Sequence, residues 1–78
     1  MSGNYVFSVI LEPQPEGGFT VLVPALPEVI TEGDTEDEAL AMAEDAIRLV
    51  LEDRAARGER IPTDTTTRVR EVKVTIAA

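Results

Sequence analysis

Apolar and polar positions along Tyr5-Val6-Phe7-Ser8-Val9-Ile10-Leu11 divide between two faces, with Tyr5, Phe7, Val9 and Leu11 on one and Val6, Ser8 and Ile10 on the other. A two-residue period in β-branched and aromatic side chains predicts a strand. Pro13 and Pro15 are expected to end it. Glu16-Gly17-Gly18 then tolerates positive φ and reverses the chain into a second strand, Phe19 to Val23, as a β-hairpin. Pro24-Ala25-Leu26-Pro27 reads as a stiff corner, because each proline fixes its own φ and biases the residue before it towards extended geometry. A short third strand, Val29 to Glu32, follows.

The period then changes. Leu40, Ala43, Ile47, Val50 and Leu51 recur at steps of three and four, and Met42, Ala46 and Leu49 widen the stripe, which predicts an amphipathic helix from Glu36 to Arg57. Thr35-Glu36-Asp37-Glu38 fits a capping box at its start, and Gly58 is placed to close it in the left-handed conformation. Acids in the first turn and Arg54 and Arg57 in the last complement the helix dipole. Beyond Pro62 and a threonine-rich loop, Val72, Val74 and Ile76 alternate with Glu71, Lys73 and Thr75, so Arg68 to Ile76 reads as a fourth strand.

The order βββαβ implies an α+β, two-layer sandwich. If the first three strands form a meander, a right-handed crossover through the helix sets the fourth beside the first. The expected sheet order is 3-2-1-4, a truncated ribonuclease-H-like arrangement. One helix covers one sheet face, so Val6, Ile10 and Leu22 are expected on the uncovered one. An exposed apolar face of that kind favours self-association as a dimer or tetramer, with Met42 and Leu49 at the helix edge as further contacts.

Composition narrows the chemistry. A chain of 78 residues suits a single domain spanning 1–78 without a C-terminal DNA-binding domain, and without cysteine, histidine or tryptophan it has no usual staple and no common metal ligand besides carboxylates. No cofactor is expected. Met1-Ser2-Gly3-Asn4 carries no sign of a secretory signal, and no apolar run nears the roughly 20 residues of a membrane span, so the cytoplasm is the expected compartment. The net charge of -8 is uneven: Met1 to Asp53 holds twelve acids and the single base Arg48, whereas Arg54 to Ala78 holds six bases and three acids. An acidic field attracts cationic partners and opposes phosphate backbones and anionic membranes, which argues against nucleic-acid binding by this chain alone.

Tyr5 to Leu11, Glu16-Gly17-Gly18-Phe19, Val23-Pro24-Ala25-Leu26-Pro27, and Gly33-Asp34-Thr35 with Glu38-Ala39 together resemble the pattern of the HicB-like antitoxins. The resemblance runs from about Tyr5 to Glu52. It implies an incomplete ribonuclease-H-like domain that neutralises, by contact, a HicA-type toxin, itself a small basic ribonuclease. The sequence reads Pro27-Glu28-Val29 where many relatives have Pro-Gly-Cys, and many relatives continue into a ribbon-helix-helix or helix-turn-helix segment that binds operator DNA.

For such a partner the acids of the loops, Glu12, Glu16, Glu28, Glu32 and Asp34, are the candidate contacts, with Leu26 and Val29 of the proline corner adding apolar area. Two other functions fit parts of the sequence. A ribonuclease-H-like scaffold can carry a two-metal nuclease site, for which Glu12, Asp34 and Glu36 are the available carboxylates. Acids around a helix start are explained as well by capping and the dipole. The remaining alternative is a structural homo-oligomer with no toxin partner. The absence of histidine and cysteine favours a non-catalytic domain.

Overall fold

A computed structural model describes residues 4–77; the reading of Met1–Gly3 as free of a leader lies outside them. Three strands, β1 (Ile10–Pro13), β2 (Phe19–Leu22) and β3 (Ile30–Gly33), form an antiparallel sheet in the order β1-β2-β3, and one helix, α1 (Glu36–Ala56), packs on it. The architecture is α+β with two layers.

The register explains where β1 starts and stops. Ile10 faces Leu22 and Pro13 faces Phe19, so Ser8 would face Pro24, which has no N–H to offer. Residues 5–9, predicted as strand, are therefore not paired with β2. At the other end the strand runs through Pro13, which the sequence suggested would end it. The Gln14 N–H donates to the Gly18 carbonyl at 3.0 Å, so even-numbered residues of β1 bond towards β2 and odd ones face the free edge. Pro13 is odd, and its missing N–H costs the ladder nothing. Gly17 and Gly18 close the hairpin with φ of 101° and 81°.

The helix begins as expected: the Thr35 hydroxyl accepts from the Glu38 N–H at 3.1 Å. It ends in a Schellman motif, in which the Glu59 N–H donates to the Arg54 carbonyl and the Gly58 N–H to that of Ala55, with Gly58 at φ +71°. Its closest approach to the sheet is made by its smallest side chains. Ala39 and Ala43 are buried against Val21, whereas Leu40, expected in the apolar stripe, is exposed. Small residues let the helix sit against β3 and β2, and a longer side chain would hold it off. A second cluster joins Val23, Leu26 and Val29 to Phe7, Ile47, Val50 and Leu51.

The fourth strand is not formed in this structure. Residues 68–76 follow no ladder, and Val72, Val74 and Ile76 are 84, 75 and 86% exposed. The alternation that predicts a strand cannot supply the neighbour that a strand needs, and the outer edge of β1 is unpaired among the described residues.

Candidate protein-binding surfaces

Pairing across the sheet makes two rows on the face opposite the helix. Ile10 faces Leu22, which faces Ile30, and Glu12 faces Thr20, which faces Glu32. Ile10 and Leu22 thus lie together on the outer face, as expected. Ile30, whose face is set only by its pairing with Leu22, completes the row and is 64% exposed. Val6 is exposed but precedes β1. Met42 and Leu49 are exposed on the helix, outside both core clusters and apart from that row.

The acidic residues divide. Pro13, Phe19 and Gly33 lie at one end of the sheet, which gathers Glu12 and Glu32 with Glu16 of the hairpin turn and Asp34 of the β3–α1 turn. The two turns adjoin, since a methyl group on Gly18 would come within 3.6 Å of the Asp34 Cα. None of these four carboxylates forms a salt bridge among the described residues. Negative charge is therefore concentrated and unneutralised at this end.

Glu28 lies at the other end, where its Oε2 accepts from Arg54 Nη2 at 2.6 Å. That hydrogen bond lowers the Glu28 pKa below its ordinary 4.5. Glu28 is thus a clamp between the corner and the last helical turn, separate from the acidic end. Leu26 and Val29, expected to touch a partner, are 0 and 3% exposed. Two tight turns, with the Leu26 N–H donating to Val23 and the Val29 N–H to Leu26, fold the corner inward and make both residues core.

Glu12, Asp34 and Glu36 do not converge: among the described residues no group of three or more metal-ligating side chains comes together. Among the same residues no helix is long and apolar enough to cross a membrane.

A groove of about 700 Å³ lies between the segment before β1 and the helix, with Tyr5, Phe7, Ile47, Leu51, Ala55 and Ile61 in its walls and Glu44, Arg48 and Glu52 at its rim. It exists because α1 packs on β3 and β2 and leaves the β1 side uncovered. Ile47, Leu51 and Ala55 are spaced by four on the helix, a signal visible in the sequence, but the opening beside them depends on where the helix docks.

The sequence pattern described as the HicB-like antitoxin of bacterial toxin-antitoxin systems matches residues 7–75. Antitoxin HicB 1 of Photorhabdus laumondii is 46% identical over 59 residues, which cover 76% of this chain and 38% of that protein. UPF0150 protein Ta0767 of Thermoplasma acidophilum is 40% identical over 58 residues, covering 74% of this chain and 84% of that one. Antitoxin HicB of Escherichia coli K12 is 38% identical over 56 residues, covering 72% of this chain and 41% of that protein. The chain thus spans less than half the length of these two antitoxins and most of the shorter archaeal relative. With the family pattern running from the segment before β1, through sheet and helix, into the C-terminal tail, the chain belongs to the HicB-like antitoxins.

Proposed function

We propose that this domain is a non-catalytic, cytoplasmic antitoxin module that neutralises a small basic HicA-like ribonuclease by direct contact, using the acidic end of its sheet. The observation that carries the reading is the group Glu12, Glu16, Glu32 and Asp34, gathered from three strand ends and left without cationic partners among the described residues. Such a field speeds encounter with a cationic surface and repels phosphate backbones, so it suits a basic protein better than nucleic acid. Four carboxylates at a sheet end serve no core role. The relatives named as antitoxins support the same assignment.

In the complete fold, residues 68–76 add beside β1 to give the order 3-2-1-4 of a truncated ribonuclease-H-like domain, a reading supported by the family pattern's extending to residue 75. The apolar row Ile10–Leu22–Ile30 is the face through which domains associate as dimers or tetramers.

The test is binding and growth rescue with the HicA-type toxin of the same genome. The unmodified chain should restore growth and bind with an on-rate that falls as salt rises. Glu12→Lys with Glu32→Lys should lower that on-rate without loss of helix content. Absence of binding, or binding unchanged by the double reversal at low salt, would refute the acidic-end reading.

A further inference from the structure

We draw no further inference here: the strongest candidate, the apolar groove between the segment before β1 and α1, walled by Phe7, Ile47 and Leu51, adjoins the β1 edge to which residues 68–76 are already assigned, and nothing in the structure shows what else covers it.

Discussion

Gly33 and Ala39 touch backbone to backbone: a β-carbon on Gly33 would run into the Ala39 nitrogen and lie 2.7 Å from its Cα. Neither atom belongs to a side chain that could rotate away. Gly33→Ala should therefore lift the first helical turn from β3 and cost about 3 kcal/mol, the upper part of the usual overpacking range. Urea unfolding followed at 222 nm would measure it, and an unchanged midpoint would mean that helix and sheet are less closely docked.

Thr31 lies on the helix side of β3, opposite Val21, and its hydroxyl oxygen is buried without a hydrogen-bond partner among the described residues. A lone buried hydroxyl costs free energy that a methyl group of similar size does not. Thr31→Val keeps the β-branched shape and should raise stability by about 1 kcal/mol. Thermal unfolding gives the answer, and a lowered midpoint would indicate that the hydroxyl has a partner after all.

The Thr35 hydroxyl satisfies one otherwise orphaned amide at the helix start, that of Glu38. Thr35→Ala should cost about 1 kcal/mol, whereas Thr35→Ser or Thr35→Asp should cost little. In a domain of this size the alanine loss corresponds to a fall of about 4–8 °C in Tm. Equal effects of alanine and serine would show that the cap is not formed.

The Asp64 carboxylate is held below its ordinary pKa of 3.8, first by the Ser8 N–H and then by the Ser8 hydroxyl. A carboxylate whose pKa is depressed by folding lends stability above its unfolded pKa and loses it as the pH falls through the folded one. The Ser8 amide resonance should therefore hold steady at neutral pH and titrate with a midpoint below 3.8. Asp64→Asn should abolish that step. A midpoint at the ordinary value would mean that these hydrogen bonds are not made in solution.

Much of this architecture is legible in the sequence because its signals are local. The capping of Thr35, the left-handed closure at Gly58, the glycine hairpin and the helical period of Ile47, Leu51 and Ala55 depend on residues within one or two turns of each other. The acidic end was half legible: Glu12, Glu16, Glu32 and Asp34 could be suspected from their loops, but Glu28 differs from them only through Arg54, 26 residues away. Tertiary contact alone decided that Leu26 and Val29 turn inward, that Ala39 rather than Leu40 meets the sheet, and that Ile30 completes the outer row. It also decided that residues 68–76 pair with none of the three strands among the described residues. Periodicity records which side chains share a face, whereas burial and pairing depend on what stands opposite that face. In this chain the opposing element is fixed by the Gly33–Ala39 approach and the Ser8–Asp64 pin, contacts that join separate elements and leave no trace in the spacing of residues.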